Sequence, residues 1–465
     1  MHTKPRLRTL SMALPSMALL SMALLSLPPA AAAADEEPLS LAEAAERALA
    51  HNPDLAVDLP GLEAAHLRFE GTRAGYLPRI DFQHSYEAGD NPVFVFSTLL
   101  GQERFTAANF ALEELNTPDP LDNLKTRVTA RQVVWDFGRT RSLRKQAETG
   151  IAVADLAHEA HRQRVLMDLF QAYYAHSLAR AALETAGIAL RSAEAIESQA
   201  RTRVESGVAV DSDLLRSQVH LSEARQRLIQ AEGDLESSRA HLNRLMGRPL
   251  DLPAGATAPL APTLLPLPAE EGLLSEQKRR RPDYQALLAE LRQAQALADS
   301  RKKEFYPVIA GFGAWEANHP SLDGPGGNNW SAGLSLDWNL FAGGADRAAL
   351  GAARQEQERK KRQAEAMESA MALEIRRALI RQRAAEKQVQ AALSAEGQSE
   401  EGLRILENRY EAGLATMTDL LSAEAARSGA RTRLAEAVYR YRVSCAEVEY
   451  AAGTLAPSSP AMSLR

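Results

Sequence analysis

The sequence predicts a mainly helical chain with a small transmembrane β-sheet, built as two copies of one large unit. Three observations carry this: an internal duplication, heptad columns running through long proline-free stretches, and period-two segments about 11 residues long. The duplication shows first in its prolines. Asn52-Pro53-Asp54-Leu55 is echoed by Arg281-Pro282-Asp283-Tyr284, and Tyr76-Leu77-Pro78 by Phe305-Tyr306-Pro307, both at an offset of 229 residues. Further along, the offset becomes 206. Trp135-Asp136-Phe137-Gly138-Arg139 then matches Phe341-Ala342-Gly343-Gly344-Ala345, and Val204-Glu205-Ser206-Gly207 matches Tyr410-Glu411-Ala412-Gly413. The first copy therefore holds 23 extra residues between Pro78 and Gly138. A period of about 200 residues is far longer than a solenoid repeat, so the unit duplicated is itself large.

The start of the chain reads as an address. Lys4, Arg6 and Arg8 precede an apolar stretch from Leu10 to Leu27, and Ala32-Ala33-Ala34 offers small residues for cleavage after Ala34. Pro15 and Pro28-Pro29 interrupt the run and weigh against a membrane anchor. Cleavage there takes the net charge from −6 to −9, which excludes a nucleic-acid role resting on general basicity. The single cysteine, Cys445, allows no intrachain disulfide and sits in a helical pattern as a core thiol. No later run of about 18 apolar residues appears, so the mature chain crosses a bilayer as a β-barrel or not at all.

Helices come next. Between Arg139 and Val204 there is no proline, and about 65 residues at 1.5 Å each make a rod roughly 100 Å long. Leu169, His176, Leu183 and Leu190 recur every seventh residue, beside Ala172, Ala179, Ala186 and Ala193. The following stretch has Leu214, Leu221, Leu228, Leu235 and Leu242 in one column, with Ser217, Ala224, Ala231 and Ser238 in the other. Ala423, Ala430, Ala437, Ser444 and Ala451 repeat the small column in the second half. A strict 3.5-residue period specifies supercoiled packing, and small columns let helices approach closely. Gly207 and Gly413 supply left-handed stops, and Asp211 or Ser212, and Thr416 or Thr418, can cap the return helices. Each half is thus a helical hairpin, at 139–246 and at 345–452.

Strands lie at the opposite ends of these rods, at about 79–88 and 125–137 in the first repeat (35–260) and about 307–317 and 328–341 in the second (261–456), before a tail at 457–465. Trp330, Ala332, Leu334, Leu336, Trp338 and Leu340 alternate with polar or small residues, an apolar-out, polar-in pattern. All four tryptophans (135, 315, 330 and 338) fall on or near strands, as an interfacial girdle requires. Trp330, Leu334, Leu336 and Trp338 are therefore expected to face lipid. Four strands cannot close a barrel, and an open edge in hydrocarbon leaves backbone groups unpaired at several kcal/mol each. Several chains must pool their strands into a barrel of at least eight.

The doubled order of these features resembles the outer-membrane efflux protein family, the TolC-like channels. The turns Gly207-Val208-Ala209-Val210-Asp211-Ser212-Asp213-Leu214-Leu215 and Gly413-Leu414-Ala415-Thr416-Met417-Thr418-Asp419-Leu420-Leu421 carry the likeness, with the strand exits at Gly138 and Gly343-Gly344. It covers essentially Leu39 to Gly453. The resemblance implies a homotrimer with a 12-stranded outer-membrane barrel and a helical tunnel across the periplasm of a Gram-negative cell. It implies docking of a periplasmic adaptor, itself joined to an inner-membrane pump of the RND or ABC type, at Gly207, Val208, Gly413 and Leu414. It places a periplasmic gate at Asp213, Tyr410 and Asp419. Two positions depart from the family pattern, Ala415 in place of a basic residue and Ser422 in place of an acid, so the lock is weaker or made elsewhere, as by Arg409. Residues 247–276 and the tail after Gly453 are expected in a belt round the tunnel. The 23 extra residues, within 87–125 and rich in Phe94, Phe96, Leu99, Leu100, Phe105 and Phe110, are expected to form an external loop folded over the barrel mouth.

No catalytic constellation, phosphate loop or cofactor motif occurs. His158 and His161 share a helix face with no second ligand pair near them in sequence. The competing reading is a soluble periplasmic coiled-coil adaptor or scaffold. Such adaptors generally carry one hairpin between β-domains, whereas this chain has two.

Overall fold

The computed structural model of the chain describes residues 38–256 and 259–462. The leader and its cleavage site after Ala34 lie outside the described residues. In chain order the elements are β1 (Pro38–Leu39), α1 (Leu41–His51), α2 (Pro53–Ala56), α3 (Asp58–Gly71), β2 (Arg79–Gly89), α4 (Pro92–Gly101), α5 (Leu112–Asn116), β3 (Leu121–Trp135), α6 (Arg139–Glu205) and α7 (Asp211–Leu245). The second half follows with β4 (Gly255–Ala256), α8 (Glu270–Arg280), α9 (Pro282–Lys303), β5 (Val308–His319), β6 (Gly327–Asp337), α10 (Ala345–Glu411) and α11 (Met417–Ala452).

The duplication is legible in single hydrogen bonds. Asn52 ends α1 and caps α2, accepting from the Asp54 and Leu55 N–H groups, and its amide donates to the Leu245 carbonyl at 2.8 Å. Its counterpart, Arg281, donates to the Ala451 carbonyl at 3.3 Å, and Leu245 and Ala451 are themselves equivalent positions. Each short helix before a strand is thereby tied to the end of its half's return helix. Arg281 is almost wholly buried and is held further by Asp283 and Glu374, since a buried charge needs partners.

α6 and α10 each run 67 residues, about 100 Å, and pair antiparallel with α7 and α11. Gly138 and Gly344, at φ 81° and 88°, turn the chain from strand into helix. The small column of α7 is the one that faces α6. Ser217, Ala224 and Ala231 are buried and Ser238 meets His176 at 3.1 Å, while Leu221, Leu228 and Leu235 are only half covered. Leu221, Leu228 and Leu235 are left for another surface.

β2, β3, β5 and β6 form one antiparallel sheet in that order. Two predicted boundaries are corrected. β3 starts at Leu121 and ends at Trp135, because β2 extends to Gly89 and offers partners to that point. β6 stops at Asp337, opposite Val308, so Trp338 and Leu340 lie beyond the strand. Pro307 precedes Val308 and has no N–H to continue the ladder.

The largest core lies midway along the rods. Leu169, Phe170, Tyr173 and Tyr174 of α6 meet Leu242 of α7 and Met246 just after it, Tyr441 of α11, and Ala44, Ala45 and Ala48 of α1. The Pro-rich stretch is strapped to it. Leu265 N–H donates to the Tyr441 hydroxyl at 2.6 Å and Arg442 donates to the Ala261 carbonyl at 3.0 Å. Leu455, Ala461 and Met462 of the tail are buried in the same cluster. Burial pushes the Cys445 thiol up to about 11, which leaves it inert.

Candidate functional site

The two helical tips are built alike. Gly207 and Gly413 take φ 72° and 75°, and each turn closes with the same pair of backbone bonds. Gly207 N–H reaches Val204 O at 2.9 Å and Val208 N–H reaches Arg203 O at 2.8 Å; Gly413 N–H reaches Tyr410 O at 3.0 Å and Leu414 N–H reaches Arg409 O at 2.7 Å. This left-handed closure leaves the next side chain outside the helix. Val208 is 70% exposed and Leu414 69%. Val210 and Leu215 are exposed beside them. Above the tips, α7 and α11 diverge round a groove of about 630 Å³ lined by Leu215, Arg216, Val219, His220, Thr418 and Leu421.

Asp213, Tyr410 and Asp419 are brought to this end but not into one cluster. Asp419 is engaged at the start of α11. Its carboxylate accepts from the Thr416 N–H at 2.9 Å and hydroxyl at 2.7 Å, while the Thr416 oxygen accepts from the Asp419 N–H at 3.2 Å. The Thr416 hydroxyl, then its N–H, then the charge of Arg409 hold the Asp419 carboxyl below its usual range. Asp213 occupies the equivalent place on α7, where the residue before the helix is Val210 and there is no side-chain cap. Of the expected capping residues, Thr416 caps; Asp211 and Ser212 lie inside the first turn of α7 and Thr418 inside that of α11.

Tyr410 is buried among Ile196, Ala200, Leu403, Met417 and Leu420. Arg203 lies over its ring, 4.7 Å from the centroid, and donates to its carbonyl at 3.0 Å. Sequence reasoning missed Arg203, which reaches across from the other hairpin. Arg216, which donates to the Thr418 hydroxyl, was missed for the same reason. Ala415 packs at the edge of the Tyr410 cluster and Ser422 is exposed. Arg409 reaches only its own turn, at the Leu414 carbonyl, 3.5 Å away.

At the other end, the sheet has two unlike faces. Arg79, Asp81, Gln83, Ser85, Lys125, Arg127, Thr129, Glu316, Asn329, Ser331 and Ser335 share one through the pairing register. Ile80, Phe82, Val128, Trp315, Trp330, Leu334 and Leu336 share the other. Trp330, Leu334 and Leu336 are 77%, 76% and 61% exposed, an apolar surface that water does not tolerate at this extent. Trp315 pairs directly with Trp330.

Residues 44–248 and 273–454 match the family described as outer membrane efflux protein. The chain belongs to that family. Over 442 residues the efflux protein is 28% identical to Protein CyaE of Bordetella pertussis, covering 93% of this chain and 87% of that one. Over 427 residues it is 22% identical to the alkaline protease secretion protein AprF of Pseudomonas aeruginosa, covering 90% and 85%. The crystal structure of the Campylobacter jejuni CmeC outer membrane channel superposes with a TM-score of 0.78 at 18% identity, over 90% of this chain and 87% of that one, a likeness of fold.

The efflux protein is thus an outer-membrane channel that extends into the periplasm, and not an enzyme. His158 and His161 find a structural use. Both ring Nδ1 atoms sit on one oxygen of Asp58, at 3.0 and 2.8 Å, joining α6 to α3. Burial raises the Asp58 pKa, but the two histidine bonds outweigh it and the net shift is downward.

Proposed function

We propose that three copies of this chain form the exit duct of a tripartite export machine, passively conducting substrate delivered by an inner-membrane pump of the RND or ABC type through a periplasmic adaptor. The outer edges of β2 and β6, which pair with no further strand among the described residues, carry this reading. In hydrocarbon each unpaired backbone group costs several kcal/mol, so sister sheets must close the wall. The half-covered leucine column of α7 offers the matching surface along the rods.

The adaptor docks on the exposed tips, with Val208 and Leu414 as apolar contacts and Gly207 and Gly413 holding the turns. Asp213, Tyr410 and Asp419 belong to the gate at the tunnel end. In this role Tyr410 sets the spacing between the two hairpins of one protomer, and the two acids carry negative charge toward the axis. The family description supports efflux, and the likeness to the alkaline protease secretion protein AprF supports a protein as cargo.

The test is a Val208→Arg and Leu414→Arg double variant in the native host. Export and co-purification of the adaptor should be lost, while the trimer survives detergent extraction and chemical cross-linking. Unchanged export would remove the docking assignment. A wild-type chain that cross-links only as a monomer in outer membranes would remove the channel assembly itself.

A further inference from the structure

The connection between β2 and β3 has a placement that the fold of the duct does not require. The equivalent turn between β5 and β6 is only Pro320 to Gly326, whereas residues 90–120 form α4, a 3-10 turn at Ala107–Phe110 and α5. This segment has a small core of its own. Phe96 meets Phe105 edge-on at 4.8 Å, and Phe105 meets Phe110 at 5.2 Å.

α4 lies against the lumen side of the wall, and every strand reports it. Gly89 of β2 points the bond that a side chain would use at Phe94, with the ring 3.7 Å away. Asn123 of β3, 3% exposed, accepts from the Gln102 amide at 3.1 Å. Asn318 of β5, 4% exposed, stands over Gly101. Gly327 of β6 faces Gly101 O and Glu103, and a Cβ there would clash with both. By register these four residues share the face of Lys125, Arg127 and Glu316, which is the lumen face. They also lie within two residues of the outer ends of their strands. α4 is 10 residues long, about 15 Å, and three strand spacings come to about 14 Å. The segment therefore reaches from β2 to β6 and covers much of the arc that one chain supplies.

A hydrogen-bonded chain fixes it there. Arg104 donates to Gln102 at 3.1 Å, and Gln102 donates both to Asn123 and to the Asp122 carbonyl at 2.8 Å. Asn123 donates to Asn318 at 2.9 Å, and Asn318 to Glu316 at 3.1 Å, which pairs with Lys125 at 3.0 Å. Gln102 is 1% exposed, so losing its partners would strand a buried amide. The helix stop is unusual too, since Glu103 takes the left-handed conformation at φ 55° without being glycine.

We propose that α4 is a fixed collar inside the outer mouth, positioned by Gln102, and that this collar rather than the barrel wall sets the largest particle the duct admits. The inference rests on the trimeric channel reading. Twelve strands about 4.8 Å apart, tilted by about 40°, close into a wall roughly 24 Å across between backbones. A helix with its side chains is about 10 Å thick, so three of them, one per chain, take up most of that width. The face of α4 turned from the wall carries Val93, Ser97 and Leu100, all exposed.

Polymer exclusion in planar bilayers tests this with purified trimers. Polyethylene glycols of graded size are added to one side, and the largest that still lowers the pore current is recorded. Replacing residues 91–119 with a short Gly-Ser linker should raise the outer-side cut-off radius about twofold and leave the inner-side cut-off unchanged. Gln102→Ala with Asn318→Ala should move the outer cut-off the same way by less. An unchanged outer cut-off in the deletion would overturn the collar. If the wild-type trimer made no pore, the channel reading would fail first and the collar with it.

A second arm asks whether the collar is fixed. A Cβ at Gly101 would lie 3.7 Å from that of Asn318, close to the separation in natural disulfides. Gly101→Cys with Asn318→Cys should therefore cross-link on oxidation with export intact. Export arrested by oxidation and restored by reductant would mean a moving flap, and would overturn the fixed collar.

Discussion

The two tips of this molecule share a backbone and differ in what holds them. Both stop at a left-handed glycine with matching closure bonds. The second tip adds a reciprocal cap between Thr416 and Asp419 and a buried tyrosine under Arg203. At the equivalent places the first tip has Val210, Asp213 and Val204, and the equivalent arginine, Arg409, has no aromatic ring to cover. Duplication preserved the turn geometry, which only the backbone needs, and let the side-chain supports diverge. The first tip is therefore held mainly by its neighbour, since Arg203 extends from it onto the second.

The largest expected effect is Tyr410→Ala, which should cost about 3–5 kcal/mol as a buried aromatic truncation, against about 1 kcal/mol or less for Val204→Ala. Denaturant unfolding of the detergent-solubilised protein measures both, and equal losses would abolish the asymmetry. Thr416→Ala should cost about 1 kcal/mol and speed amide exchange at Met417–Leu420 about fivefold, leaving the first tip unchanged. The reverse repair sharpens the comparison. Val210→Thr gives Asp213 a reciprocal partner, and should slow exchange over the first turn of α7 by up to about fivefold. No slowing would mean that the backbone there cannot take the capped form.

The smallest effect is in pH. Asp419 has a folded-state pKa below its usual value, so its stabilisation is complete above about pH 4 and is lost as pH falls through the lowered value. Protection from exchange at the start of α11, measured against the intrinsic rate at each pH, should fall on acidification in the wild type and lose that dependence in Asp419→Asn. A pH response that persists in the variant would trace to another group.

The connections between strands repeat the lesson of the tips. Residues 320–326 merely turn the chain, while residues 90–120 fold into a small body that packs on the polar face of the sheet. The Phe-rich composition announced an extended loop with something to bury. Its direction, onto the polar face of the sheet, depended on Gln102 meeting Asn123 and Asn123 meeting Asn318. The last pair is separated by 195 residues.

By itself the sequence determined what is local or periodic. The 3.5-residue columns, the alternation on the strands and the left-handed glycines each act within one or two turns of chain, so the rods, the two sheet faces and the tips could be read in advance. The duplication gave their order. The tertiary structure alone decided which polar groups meet. Arg203 covers Tyr410, Asn123 joins Asn318, and Asp58 takes both His158 and His161. The same holds for strand ends, where β6 stops because its partner begins after a proline. Such pairs join residues about 100 to 200 positions apart through directional bonds a few ångströms long. No periodicity encodes those separations, because they are set by how whole helices and strands stack.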